Sequence, residues 1–488
     1  MSNDPAPWVE GQTIGGALTE IARRFPKHDA VIFPALGYRK TYQEFESEMD
    51  RLARSLLTMG VTEGEHVGIW ATNWPQWIEL QFAVAKIGAV LVNVNPAYRA
   101  SELAYVLKQA DLTTLFLTDR FKSSDYFGIL EEVLPELKEA KPGALQTAAF
   151  PHLRRIISIQ SSKRPGMWNW QEFLALGARI NQKQLQNRLT EFQPNDVVSV
   201  QFTSGTTGFP KGAMLTHRNL LFNSYYSGGR MSLNENDRLC IPVPLYHCFG
   251  CVLGTLLCMV RGAAMIFPAE SFDPLAVLQA VQAERCTGLH GVPTMFIAEL
   301  NHPRFAEFDL SSLRTGIMAG SPCPVEIMQK VIERMGAREI TIGYGLSEAS
   351  PIITQTQPGD DIEHRVSTVG TKLPGVEVKI VAPGTTTPVT VGTPGELMVR
   401  GHGVMRGYYN KPKETAEAIT SDGWLHSGDL AMETPDHYYK ITGRLKDMII
   451  RGGENIYPRE IEEFLYTHPA VLDVQVVGLP DEVLGEEV

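Results

Sequence analysis

The sequence predicts an α/β protein: a large N-terminal region of helix-flanked mixed sheets with a small β-barrel-like subdomain, followed by a small α+β C-terminal lid. Three observations carry that expectation. Helical and strand patterns alternate through residues 1–120 and again from Val197 to about Thr354. From Gly370 to Gly401 the texture changes to short β-branched runs broken by Pro and Gly. Near Arg444 it changes once more, to a basic, glycine-containing loop and a short helix. At 488 residues the chain exceeds one ordinary core, and we divide it into residues 1–443 and residues 444–488.

Tyr42, Phe45, Met49, Leu52 and Leu56 recur at helical spacing, and Gly60 supplies a stop. His66–Trp70 reads as a short buried strand. Asn73 is placed to cap a helix that has Trp74 and Pro75 in its first turn and runs to about Ala85. Ala89–Val94 is the next strand and Ser101–Gln109 the next helix, a rhythm that implies parallel sheet covered by helices. Residues 141–165, with Pro142, Pro151 and Pro165, form an irregular connection. Val376–Val381 and Glu396–Val399 suit antiparallel strands. Beyond Arg444 we expect a helix at Arg459–Tyr466 and a strand at Asp473–Gly478.

Hydrophobic residues make up 43% of the chain, as in an ordinary globular protein, and the net charge is −11. That balance argues against nucleic acid as a partner, since phosphate backbones need a basic stripe. An acidic chain holds anions only where a metal ion and a few placed cations reverse the field. The stretch MSNDPAPWVEGQ lacks the pattern of a secretory signal. The apolar run Cys248–Val260, cut by Arg261, falls short of the roughly 18 residues that span a bilayer, so it reads as buried core. No transmembrane segment is expected, weak membrane association is left open, and the cytoplasm is the default compartment. Six cysteines make no disulfide framework. Cys248 and Cys251 have CxxC spacing beside His247, but a zinc site lacks its second pair and haem attachment would need His where Val252 stands. Small buried thiols are the remaining reading.

The strongest local signal is Thr203-Ser204-Gly205-Thr206-Thr207-Gly208-Phe209-Pro210-Lys211, directly after the apolar strand Val197–Phe202. Alternating glycines and hydroxyls let backbone N–H groups and side-chain oxygens approach an anion, and Lys211 adds a point charge. The order is not that of a Walker A loop, because Gly212 follows the lysine. By its chemistry alone it is a phosphate loop or a plain Ser/Gly turn.

The stretch TSGTTGFPKGAMLTH, residues 203–217, resembles the signature of the acyl-adenylate-forming (AMP-binding) superfamily. Tyr344-Gly-Leu-Ser-Glu348 resembles its YGxTE element, with Ser347 for the usual Thr. Pro394-Gly-Glu-Leu397, Gly423-Trp-Leu-His-Ser-Gly-Asp-Leu430, Gly443-Arg-Leu-Lys-Asp-Met-Ile-Ile450 and Gly452-Gly-Glu-Asn-Ile-Tyr-Pro458 follow in the family's order. The resemblance covers essentially the whole chain, and the bacterial medium-chain fatty-acyl-CoA synthetases are the most similar group within it.

The resemblance implies an ATP-dependent acid-thiol ligase that joins a carboxylate to AMP, releases pyrophosphate and passes the acyl group to coenzyme A. Its cofactors would be ATP, Mg²⁺ and CoA. It implies that the 203–211 loop grips the departing phosphates, that Glu348 with Thr203 serves Mg²⁺, and that Tyr344 and Gly345 stack against adenine opposite Gly320-Ser321-Pro322. Asp429 would take the ribose hydroxyls and Arg444 the ribose–phosphate region. Lys446 would be the hinge of the lid, whose loop Gly452-Gly453-Glu454 approaches the adenylate for thioester formation. His247 corresponds to a position near the carboxylate. Cys248, Phe249, Gly250, Leu253, Val292 and Thr294 are expected to line the acyl pocket, and their lack of charge favours an alkyl chain. The family's C-terminal lysine motif does not occur before Val488, so the lid is expected to be incomplete. The alternatives are an aryl-acid CoA ligase, a carrier-protein-loading adenylation enzyme and, more remotely, a non-catalytic nucleotide-binding protein. The oligomeric state is not legible.

Overall fold

Thr41 starts the first long helix with a reciprocal cap: the Glu44 amide donates to Thr41 Oγ1 at 3.3 Å and the Thr41 amide to Glu44 Oε2 at 2.9 Å. Helix Tyr42–Thr58 then buries Tyr42, Phe45, Met49, Leu52 and Leu56, the predicted stripe. Strand His66–Trp70 is buried throughout. Helix Pro75–Lys86 starts as expected, but its cap residue is Trp74. The Asn73 side chain is needed elsewhere: Nδ2 donates to Val243 O at 3.1 Å, and Oδ1 accepts from Leu245 N at 2.8 Å. Asn73 therefore pins the loop that leads to His247.

This computed structural model describes residues 7–160, 162–188, 192–203, 209–321, 323–451, 454–456, 458–466, 468, 471, 474–481 and 485–488. Among these, two large mixed sheets dominate. The seven-stranded sheet runs 407–408, 211–216, 197–203, 90–94, 66–70, 114–117, 155–158. Its strands from 197–203 to 155–158 are parallel, and 211–216 and 407–408 add antiparallel strands at one edge. The nine-stranded sheet has a parallel centre from 339–345 through 29–33, flanked by antiparallel 352–355, 371–372 and 38–41. Parallel strands buried on both faces explain the near-continuous apolar runs.

The β-rich subdomain is an antiparallel sheet of four strands in the order 376–381, 395–401, 425–433, 439–444. Past Arg444 come a 3₁₀ turn at Leu445–Asp447 and the helix Pro458–Tyr466. Val474–Gly478 is not a strand, contrary to expectation; the strand lies just beyond, at Leu479–Asp481, antiparallel to 485–487. No helix among the described residues is long and apolar enough to cross a membrane.

Candidate active site

The carboxyl ends of the parallel strands converge, the usual place for a ligand in an α/β sheet. Strand Val197–Thr203 ends at Thr203, which pairs in register with Lys211 on strand Lys211–Thr216. The expected phosphate loop is thus the connection of a hairpin. Ser204, Gly205, Thr206, Thr207 and Gly208 lie outside the described residues, as do Pro322, Gly452 and Gly453. The loop's far end is held from outside: Tyr105 OH donates to Pro210 O at 2.9 Å, and the Tyr105 and Phe209 rings meet at 5.2 Å. Phe209 is itself 65% exposed.

Glu348 stands at the mouth of this hairpin on the short turn Ser347–Ala349 and is buried. Its Oε1 accepts from Thr203 Oγ1 at 3.1 Å and from Tyr408 OH at 2.8 Å. Tyr408 comes from strand Gly407–Tyr408, which pairs with the Lys211 strand. Its ring lies beneath Lys211 Nζ, 5.1 Å from the centroid. Sequence reading missed Tyr408; the signal was a Gly-Tyr-Tyr run between two of the quoted motifs. Burial and the Glu348 carboxylate push its hydroxyl well above the usual range, so it remains a donor.

The residues expected on the nucleoside side form a second cluster. Tyr344, near the end of strand Glu339–Gly345, donates to Asp429 Oδ2 at 2.8 Å. Asp429 and Arg444 face each other across the hairpin 425–433/439–444, with Arg444 Nε 3.6 Å from Asp429 Oδ1. Burial raises the Asp429 pKa, while the Tyr344 hydroxyl and the Arg444 guanidinium pull it back. Gly345 is required by packing: a Cβ would fall 1.8 Å from Pro351 O. Gly320 adopts φ +91°, and a Cβ there would meet Val292 Cγ1 at 3.1 Å, which places the expected adenine strip beside the expected acyl wall. Ser321 is exposed.

The residues expected on the acid side lie on the helix after His247. The Phe249 amide donates to His247 Nδ1 at 3.2 Å, so His247 caps that helix and, as a residue, is exposed. That placement separates it from an ordinary core histidine. Cys248 Sγ lies 3.6 Å from His247 Nδ1 and accepts from Ser347 Oγ at 3.5 Å, which joins the two halves of the site. Cys248, Phe249, Gly250 and Leu253 are buried and Val292 is half-buried. Gly250 can only be glycine, because a Cβ would sit 2.3 Å from Pro244 O. Thr294 is exposed on the first turn of helix Pro293–Leu300, and Lys446 is exposed on the turn after Arg444.

Known proteins resemble this chain along most of its length. The profile of the AMP-binding enzyme family matches residues 18–409. YngI of Bacillus subtilis (strain 168), whose name reads acyl-CoA synthetase, is 54% identical over 97% of this chain and 86% of its own length. The mitochondrial medium-chain acyl-CoA ligase ACSF2 of Danio rerio is 42% identical over 98% of this chain and 79% of its own. The crystal structure of ATP-bound MatB from Rhodopseudomonas palustris superposes with a TM-score of 0.80 at 27% identity, covering 97% of this chain and 87% of that one.

Proposed function

This chain belongs to the AMP-binding enzyme family, and we propose that its site activates a medium-chain alkanoic acid. It is an AMP-forming acyl-CoA ligase, an enzyme of ATP, Mg²⁺, a carboxylic acid and CoA. Bringing a carboxylate to the α-phosphate of ATP joins two anions, so catalysis there is neutralisation and alignment. Lys211 supplies the fixed cation for the phosphates that leave. Glu348 fits Mg²⁺: Oε1 is taken by two hydroxyls, whereas among the described residues Oε2 takes no hydrogen bond. Bound there, Mg²⁺ would screen the phosphate oxygens. Asp429 and Arg444 would hold the ribose, and the Tyr344–Asp429 hydrogen bond sets the plane of the ring on which adenine stacks.

The observation that carries the acid class is the wall of Cys248, Phe249, Gly250 and Leu253, which offers neither charge nor a paired polar group to a ring hydroxyl or an ammonium. Glu299 on the neighbouring helix does not change this. It is fully buried, neither oxygen has a hydrogen-bond partner among the described residues, and burial pushes its carboxyl well above the usual range, which favours the neutral form. Pyrophosphate release with octanoate, benzoate, 4-coumarate and amino acids tests the reading. Octanoate is expected to lead by at least about tenfold in kcat/KM; a lead for benzoate or 4-coumarate would make the protein an aryl-acid ligase instead. Under the same proposal residues 444–488 begin a lid turning about Lys446. The protein would work in the cytoplasm, where its six cysteines, none of them in a disulfide and five of them buried, stay reduced.

A further inference from the structure

The helix after His247 changes its winding. Cys248–Gly250 is α-helical, Cys251–Leu256 is a π-helix, and Leu257–Arg261 returns to α. A π turn is wider than an α turn and appears mostly as a single-turn bulge. Here three consecutive carbonyls of the turn are each met by a side chain from a different element. Gln81 Nε2, on helix Pro75–Lys86, donates to Cys251 O at 2.7 Å. Ser224 Oγ, on helix His217–Arg230, donates to Val252 O at 3.4 Å. His290 Nε2, just after strand Gly288–Leu289, lies 2.9 Å from Leu253 O. Thr255 Oγ1 completes the arrangement, 2.5 Å from Cys251 O and 2.7 Å from Gln81 Oε1.

The role of His290 follows from its other nitrogen. Nδ1 accepts from Ile317 N at 3.1 Å, so the ring proton sits on Nε2 and donates to Leu253 O. Burial pulls the imidazole down to about 4, so this single tautomer persists across the neutral range. The two faces of the turn differ. Phe249 packs on the His290 ring at 5.2 Å, and the Leu253 carbonyl bonds the same residue, two positions before Val292. Cys251 faces the other way, where Asn93 Nδ2 reaches its Sγ at 3.4 Å.

We propose that Gln81, Ser224 and His290 clamp this turn in its π register and thereby set the length of acid the pocket admits, with Gln81 the principal positioning residue. The inference rests on the alkanoic-acid reading above. An α winding would rotate later side chains by about 100° per residue shifted, which would turn Leu253 away from the place the acyl-wall reading gives it.

Gln81→Met keeps the length of the side chain and removes both of its hydrogen-bonding atoms. Binding of non-hydrolysable butanoyl, octanoyl and dodecanoyl adenylate analogues is measured by calorimetry in the full chain, beside ATP. We expect the octanoyl-to-dodecanoyl affinity ratio to change by about tenfold, the scale on which an apolar pocket separates homologues. Affinity for ATP should stay within about twofold. Thr255→Val, a milder loss in the same ring, should move the ratio in the same direction, and it decides the matter should Gln81→Met fail to fold. An unchanged ratio in a folded variant, or an equal loss at every chain length, overturns the clamp. If the wild-type chain binds no alkanoyl analogue, the alkanoic-acid reading falls and the clamp with it. If it binds them and only the ratio stays fixed, the clamp alone falls.

Discussion

The nucleotide side and the acid side of the site are made in different ways. On the expected nucleotide side the polar atoms have named side-chain partners: Thr203 with Glu348, Tyr408 with Glu348, Tyr344 with Asp429, Asp429 with Arg444. On the acid side the wall is a helix whose side chains supply shape, and its polar bonds run away from the pocket into the scaffold. Charge chemistry needs particular atoms within a few tenths of an ångström, whereas an alkyl chain needs only volume. Substitutions should therefore act sharply on the first side and gradually on the second.

The largest effect is expected at Glu348. Glu348→Gln keeps the shape and the hydroxyl contacts but removes the charge, and single-turnover adenylate formation should fall by about 100-fold or more. The comparison breaks if Phe249→Leu on the acid side slows pyrophosphate release as much with every acid tested. Next is Asp429→Ala, which should raise KM for ATP by about tenfold with a smaller loss in kcat, because the ribose contact is shared by ground and transition states. Burial raises the pKa of Asp429, so its protonated form gains as pH falls earlier than for an ordinary carboxylate. Nucleotide affinity should weaken on the acid side accordingly, and Asp429→Asn should flatten that limb in a calorimetric pH series.

The smallest effect should be visible only in stability. Glu299 has its folded pKa raised well above the usual range by burial. The folded chain thus keeps a proton that the unfolded chain releases. The stability tied to that proton is fully present below the unfolded value of about 4.3 and is lost as pH rises through the folded one. Glu299→Gln should therefore be more stable than wild type near neutrality by about 1 kcal/mol, a difference that shrinks towards pH 4. Thermal melts at several pH values check this, and KM for ATP should not move.

The same division explains what could be read in advance. Helix Tyr42–Thr58, strand His66–Trp70 and strand Val376–Val381 announced themselves because apolar pattern and flanking Gly or Pro agree. The residues of the nucleotide-side cluster could be named from the motifs at 203–211, 344–348 and 423–430, but the hairpin that pairs Thr203 with Lys211 was not foreseen. Asn73 misled: its type and its place before Pro75 fit a helix cap, yet its two polar atoms bond the 243–245 segment, some 170 residues away in sequence. Gln81 and His290 were invisible for the same reason, as their partners are main-chain carbonyls brought near only by packing. No local pattern announces the π-helix, because what favours it is the set of side-chain donors around it, brought there by other elements. The strand at Leu479–Asp481 was placed several residues early; Val474–Gly478 has the apolar composition but runs outside any ladder.

Tyr408 touches both charged anchors of the phosphate site, its ring under Lys211 and its hydroxyl on Glu348. A lysine and a glutamate that face the same anion would, left to themselves, close on each other and neutralise the site. Among the described residues no ion pair joins these two, and the tyrosine between them acts as a spacer. Under the proposed reading, arriving ATP would meet both charges without a salt bridge to pull apart before it can be held.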